Sequence, residues 1–316
     1  MIRAYTVKDG TLLRFEPSGL ELQSLVERHA WLWVDLTGES IPVAQGLLEA
    51  ILSEPVELPE ASASPSPRFF KGYTRFVFPL SATEEPRKER SMHVILSPKL
   101  LATVRGDGGA SLVEQTAQTL ENLAARASVD LDVTFCRLLD EAIDENEAGL
   151  EAARESAEKV ERSAMTVASR EVVEDVARVA SRLGDLHDIL QRQRLLILDF
   201  LEGLLPGIGV NRLARSLLLD ARHKVERQLD LADRYDHELS GVISLTDLAL
   251  TLRLNRVMTL LTVIATVLLL PNTVGTILGI PSLPIPYGAW DLIALILLVS
   301  GLVPTWYAYR KGWLKP

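Results

Sequence analysis

The sequence predicts an α+β protein in three parts: an N-terminal α/β domain, a long helical stalk or funnel, and two C-terminal transmembrane helices. Three observations indicate this fold class. Short β-like runs alternate with turns over the first 110 residues, helical periodicity fills most of residues 111–256, and two long runs almost without charge follow.

Charge separates these parts. The chain has 33 basic and 42 acidic side chains, and residues 251–316 hold five of the former and one of the latter. Residues 1–250 therefore keep 28 basic and 41 acidic groups, a net charge of −13. An acidic body excludes a general nucleic-acid-binding protein, whose affinity comes from basic contacts to phosphate. Such a body gathers cations.

Residues 1–110 are expected to form a cytoplasmic α/β domain. Lys8-Asp9-Gly10 is a hairpin-turn signal between the first two strands, and Glu57–Pro67 is a proline-rich loop. The expected strands are Ile2–Val7, Leu12–Phe15, Trp31–Leu36, Tyr73–Leu80, His93–Leu96 and Leu101–Val104. The expected helices are Leu20–Arg28 and Val43–Leu52.

Residues 111–256 are expected to form a cytoplasmic helical domain that includes the stalk. Helices are predicted at Ser111–Arg126, Leu131–Arg162 and Val167–Leu205. No strong stop signal occurs between Leu213 and Pro271. This predicts one helix of roughly 60 residues, about 90 Å long at 1.5 Å per residue.

Two runs are long enough to cross a bilayer. Residues 257–280 are 24 residues without a charge, and residues 289–309 are 21 residues with one acid. About 20 helical residues span a membrane, so both are expected to be transmembrane helices; a buried hairpin in a soluble core is the alternative. Basic residues precede the first run and occur in the tail 310–316, but the connector 281–288 has none. This places both termini in the cytoplasm, at the inner (plasma) membrane.

One face of the long helix carries a stripe with heptad spacing. The stripe consists of Asp230, His237, Ser244, Thr251, Met258, Ala265, Asn272 and Gly279, interleaved with Asp233, Ser240, Asp247, Leu254, Leu261, Leu268 and Gly275. It is polar and acidic before the membrane and small or apolar within it. Because an amide that faces lipid is costly, Asn272 is expected to face protein or water. Several copies around an axis would make this face a conduit; a solvated stalk with packed apolar residues is the alternative.

The run from Asn255 to Thr266, with Pro271 and Gly279 after it, resembles the CorA family of divalent-cation channels and transporters, which includes the ZntB zinc transporters. The resemblance covers the whole chain. It implies a homopentamer in the lipid bilayer, lined by the first membrane helix, with a divalent metal ion as cargo and no organic cofactor. It places Asn255, Met258, Leu261, Ala265 and Asn272 on stalk and pore positions.

Three further points follow from the resemblance. Pro271 lies one position later than in the family pattern. The signature Gly-x-Asn reads Gly279-Ile280-Pro281, so the asparagine that contacts the hydrated ion at the outer mouth is replaced by proline. Asp220 lies near a position where some relatives bind regulatory magnesium between subunits.

The choice of ion stays open between zinc and magnesium. Zinc prefers imidazole, and His237 follows the acids Asp230 and Asp233 on the stripe, whereas magnesium prefers oxygen ligands and retains its waters. With the signature asparagine missing, the sequence slightly favours zinc, and a magnesium channel is the alternative. A membrane-anchored scaffold or sensor that has lost transport is a further alternative. Neither a nucleophile elbow nor a His-Glu-x-x-His motif occurs, so no enzyme is expected.

Overall fold

A computed structural model describes residues 1–58, 67–81, 90–106, 110–166, 170–203, 211–278 and 289–310. These residues divide into two compact units. The first comprises Met1–Glu161 with Glu174–Ser240, and the second comprises Arg162–Val173 with Gly241–Pro316. Most of the expected loop Glu57–Pro67 lies outside the described residues.

A seven-stranded sheet forms the base of the first unit. Its strands are β1 (Ile2–Lys8), β2 (Thr11–Phe15), β3 (Leu32–Thr37), β4 (Arg68–Phe69), β5 (Thr74–Leu80), β6 (Arg90–Leu96) and β7 (Leu100–Arg105). The order across the sheet is β2-β1-β3-β7-β6-β5-β4. Strands β3 and β7 pair in parallel, and the other described neighbours pair antiparallel. The six expected strands are confirmed; the two-residue strand β4 was too short for its pattern to predict.

The hairpin between β1 and β2 is confirmed. Asp9 and Gly10 have φ angles of 51° and 74°, so both lie in the left-handed region that a two-residue turn of this kind requires. Glycine adopts that conformation without a steric penalty, which explains why the Asp-Gly pair predicts the turn correctly.

Seven helices are described. They are α1 (Gly19–Arg28), α2 (Ile41–Leu52), α3 (Ala110–Ala124), α4 (Leu131–Thr166), α5 (Arg170–Leu201), α6 (Arg212–Leu278) and α7 (Ala289–Arg310). The predicted helix boundaries agree with these to within a few residues. Helix α6 is a single helix of 67 residues that continues through Pro271, so the long uninterrupted helix is confirmed.

Each face of the sheet buries an apolar core. One face packs against α1 and α2 through residues such as Leu22 and Leu48. The other face packs against α3, α4, α5 and the N-terminal part of α6. On this face Phe76, Phe135 and Phe200 form an edge-to-face aromatic cluster with ring centroids 5.0–5.8 Å apart. The cluster joins β5, α4 and α5, and so fixes the helices against the sheet.

Candidate functional site

Helix α6 carries almost all of the predicted functional residues. Asn211 caps its N-terminus, because the Asn211 side-chain oxygen accepts a hydrogen bond from the Ala214 backbone N–H at 2.7 Å. The other side-chain atom, Nδ2, donates to Asp130 at 2.6 Å, and Asp130 in turn accepts from the Val133 N–H near the start of α4. Asn211 therefore fixes the start of α6 and links it to the start of α4.

The polar part of the predicted stripe is exposed. In the first unit, α6 buries a face that includes Ala221, Val225, Leu229 and Ala232. At 3.6 residues per turn, the stripe lies about a third of a turn around the helix from this buried face. Its acidic and polar members Asp230, Asp233, His237, Ser240, Ser244, Asp247 and Thr251 are all exposed in the single chain.

Asp233 also has a partner within the chain. Its carboxylate lies 3.3 Å from His187 Nε2 on α5, in a contact that is charged only when the histidine is protonated. Sequence reasoning did not pair these residues, since 46 positions separate them and nothing in the local pattern connects them. Asp233 therefore both lies on the predicted stripe and contacts α5.

The apolar part of the stripe is exposed as well. Met258, Leu261 and Leu268 are 62, 56 and 61 % exposed, and Asn255, Ala265, Asn272 and Gly275 belong to the same exposed class. The signature residues Gly279, Ile280 and Pro281 lie outside the described residues.

A second polar stripe runs beside the predicted one and was not singled out from the sequence. It consists of Thr259, Thr262, Thr266, Thr273 and Thr276, each one residue after a predicted pore position. Every one of these hydroxyls donates to the carbonyl oxygen four residues earlier at 2.8 Å. Their remaining capacity is as hydrogen-bond acceptors. The 3-4 spacing of the threonines is the signal that could have revealed this stripe.

Residues 212–269 of α6 contain a window apolar and long enough to cross a membrane, with a mean hydropathy of 1.6 and none of it buried. Within α7 the segment Asp291–Val303 is a shorter apolar run. At the end of α7 the Arg310 guanidinium lies over the Trp306 ring, 5.3 Å from its centroid. Arginine and tryptophan are residues typical of a membrane interface.

Metal ligands do not converge in the parts of the chain that the structure describes: no three His, Cys, Asp or Glu side chains there are grouped to hold an ion. His223 and His237 are both exposed on α6. A resident zinc site would need such a group.

The family model described as "CorA-like Mg2+ transporter protein" matches residues 29–310. The chain belongs to the CorA-like family. Proteins of this family are divalent-cation transporters or channels of the inner membrane, which agrees with the apolar segment of α6 and with the absence of catalytic motifs from the sequence.

Solved structures show the same fold as this CorA-like chain. The complete CorA magnesium transporter from Methanocaldococcus jannaschii is 15 % identical, with a TM-score of 0.82 over 99 % of both chains. The full-length CmaX protein is 15 % identical, with a TM-score of 0.72 over 98 % of this chain and 97 % of its own. The cytoplasmic domain of ZntB from Vibrio parahaemolyticus is 10 % identical, with a TM-score of 0.57 over 78 % of this chain and 96 % of its own. No curated protein sequence matches the chain.

Proposed function

We propose that this CorA-like chain assembles as a homopentamer in which five copies of α6 surround a conduit for divalent cations. In this arrangement residues 257–280 and 289–309 cross the membrane, the connector 281–288 faces outward, and both termini are cytoplasmic. The observation that carries the proposal is the exposed heptad stripe on α6, which is acidic before the apolar segment and contains the amide of Asn272 within it. Lipid cannot satisfy that amide, whereas a ring of copies around water can.

The stripe assigns a role to each part of the conduit. Rings of Asp230, Asp233 and Asp247 raise the local concentration of cations at the cytoplasmic mouth. Met258, Leu261 and Leu268 form a narrow apolar section that can close by dewetting. Asn272 lies beyond this section and contacts the hydration shell of the ion.

The threonine stripe adds to this assignment. In a ring of helices these residues lie on the flank of the conduit, one position away from its lining. Since each hydroxyl hydrogen is already used within the helix, the oxygen can accept from water bound to a cation but cannot donate to an anion. This arrangement favours cations over anions of the same size.

The oxygen atoms on α6 that could contact a metal ion favour magnesium as the transported ion. The amides of Asn255 and Asn272 and the threonine hydroxyls are hard ligands that suit an ion which keeps its water shell. The sequence slightly favours zinc because of His237, but among the described residues that imidazole belongs to no group of three side chains that could hold a metal ion. Zinc is therefore the second candidate.

Ion-resolved flux into liposomes tests the proposal. Purified protein should pass Mg2+ down its gradient, and parallel measurements with Zn2+, Co2+ and Ni2+, with and without a pH gradient, establish the preference. Asn272→Leu should lower the flux at least about tenfold, the loss expected when one polar contact of roughly 1.4 kcal/mol is removed from the path. Leu260→Met, on the same helix but outside both stripes, is the control and should leave the flux unchanged. If the Asn272→Leu variant forms a pentamer and keeps full flux, Asn272 does not line the conduit.

A transport-inactive scaffold or sensor is the second candidate function. It is favoured by one observation, the replacement of the signature asparagine by Pro281. An intact pentamer without flux of any of the four ions would support it. Pro281→Asn would then distinguish two causes of the lost flux. If the variant conducts, only the asparagine ligand was missing; if it does not, the rest of the protein no longer conducts.

A further inference from the structure

A groove of about 550 Å3 opens between α4 and α6 in the first unit. Its position matters because α6 is the helix that continues into the apolar segment. The residues that line it are Arg137, Asp140, Leu217, Asp220, His223, Lys224 and Arg227.

The acidic side chains give this groove the character of a cation site. Asp140 comes from α4 and Asp220 from α6, and Asp144 lies one turn further along α4. Carboxylates from two facing helices are the ligands that Mg2+ and Mn2+ select. The regulatory magnesium that the resemblance implies near Asp220 lies between subunits, whereas this groove lies within one chain, so the fit of a divalent ion to the groove is tested on the residues that line it.

The positive charge beside these carboxylates comes from a side chain of the protein, Lys224. Lys224 Nζ lies 2.7 Å from Asp140 Oδ1 and 2.8 Å from Asp144 Oδ1. Burial would lower the pKa of Lys224, but its hydrogen bonds to Asp140 and Asp144 outweigh burial and the pKa is raised. The ammonium is therefore charged throughout the physiological range of pH.

Two arginines complete the neutralisation. Arg137 donates to Asp140 Oδ2 at 3.3 Å, and Arg227 lies 3.6 Å from the Glu147 carboxylate. A divalent ion that entered beside Asp220 would therefore meet three fixed positive charges in the walls of the groove. Such an ion does not fit here.

We propose that Lys224 is a tethered cation which occupies the position of a divalent ion in this groove and holds α6 against α4. The groove consequently excludes Mg2+ and similar ions, and Asp220 holds no divalent ion in it. The inference concerns binding to the body alone, so it does not depend on whether the conduit conducts.

A neighbouring hydrogen-bond network fixes the register that this ion pair needs. One turn beyond Lys224, the buried Gln228 donates to the Ile143 carbonyl of α4 at 3.1 Å. Its side-chain oxygen accepts from Asn146 Nδ2 at 3.3 Å, and Asn146 also donates to Gln193 of α5 at 2.9 Å. A shift of α6 along α4 would break these bonds among buried side chains, where each unsatisfied group is costly. Lys224 is thus held opposite its two carboxylates.

Binding of Mn2+ to the full-length protein in detergent, followed by electron paramagnetic resonance, tests the inference. Wild type and Asp220→Asn should show the same number of Mn2+ ions and the same affinities, because the groove takes none. If wild type has one saturable Mn2+ site that Asp220→Asn lacks, the proposal is wrong. This comparison does not require any change to Lys224.

Removing the tethered cation should create the missing site. Lys224→Gln is expected to bind one additional Mn2+, because removing the charge raises the affinity of the groove for the ion about 30-fold, the factor for one positive charge about 4 Å from a divalent ion at water-like screening. The additional site should disappear in Lys224→Gln combined with Asp220→Asn. Arg222→Gln is the matched control, since it removes one positive charge from the same helix where its partner is Glu226 of α6 itself. Equal Mn2+ binding by Lys224→Gln and Arg222→Gln overturns the proposal.

Discussion

A buried ion pair between the two parallel strands offers the sharpest test of what holds the first unit together. The side chains of Asp35 on β3 and Arg105 on β7 are 1 and 2 % exposed. Arg105 Nε and Nη2 each donate to one carboxylate oxygen of Asp35 at 3.1 Å. The hydroxyls of Thr103 and Thr37 donate to the same two oxygens at 2.8 and 2.6 Å. Each carboxylate oxygen therefore accepts two hydrogen bonds from protein groups.

Asp35→Asn keeps the shape of the side chain and removes its charge. Breaking a buried pair by changing one partner costs about 3–5 kcal/mol, because a charge is left in the core without its counterion. Hydrogen exchange of the β3 and β7 amides in the full-length protein should therefore speed up by about two to four orders of magnitude. Asp35→Leu combined with Arg105→Met should recover much of this loss, since an apolar pair of similar volume needs no counterion.

The control for this experiment is Arg14→Met. Arg14 pairs with Glu114 and Glu121 on α3, but all three side chains are between 41 and 59 % exposed, so the change should cost less than about 1 kcal/mol. If Asp35→Asn accelerates exchange in β3 and β7 by less than tenfold, or no more than Arg14→Met does, the ion pair does not stabilise the parallel pair and the reasoning is wrong.

Three further predictions concern single residues. Burial, and then the charge of Arg75, lower the pKa of His93 from 6.5, so the unfolded state binds more protons than the folded state below about pH 6.5. The free energy of unfolding, measured by urea titration, should therefore fall below that pH by up to about 1.4 kcal/mol per pH unit. His93→Gln should reduce this dependence on pH. Asn211→Ala removes the cap bond to Ala214 and should lower the free energy of unfolding by about 1 kcal/mol, whereas Asn211→Ser should keep most of it. Burial raises the pKa of the Cys136 thiol, which is 2 % exposed; maleimide should label it only after denaturation, and labelling of the native protein within minutes would contradict its burial.

Local patterns predicted the elements of this fold well. Alternating apolar residues and the Asp9-Gly10 turn gave the first hairpin, and an uninterrupted helical pattern gave α6. What the sequence did not reveal is which strands are neighbours. Strand β3 pairs with β7, about 68 residues later in the chain, and that pairing depends on packing on both faces of the sheet rather than on any local signal.

The same distinction between local and tertiary features applies to the candidate site. Heptad spacing identified the stripe from Asp230 to Gly275, because residues three and four apart share a helical face. The partners of these residues are tertiary, so the sequence could not supply them. His187 opposite Asp233, and Lys224 between Asp140 and Asp144, depend on how α4 and α5 pack against α6. The regulatory ion near Asp220 stays a prediction, and the basic side chains that line the groove beside Asp220 are tertiary neighbours of the same kind.

The exposed part of α6 within the second unit bears on the proposed assembly in two different ways. Leucines and methionines such as Leu261 and Met258 can be covered equally well by lipid or by protein, so their exposure alone does not require an assembly. Asn272 differs, because it is exposed in the single chain and lipid offers no partner for its amide. Covering the leucines requires only a bilayer, whereas satisfying the amide requires water or another protein group. It is therefore Asn272, and not the long apolar run around it, that supports the proposal of several copies around an aqueous axis.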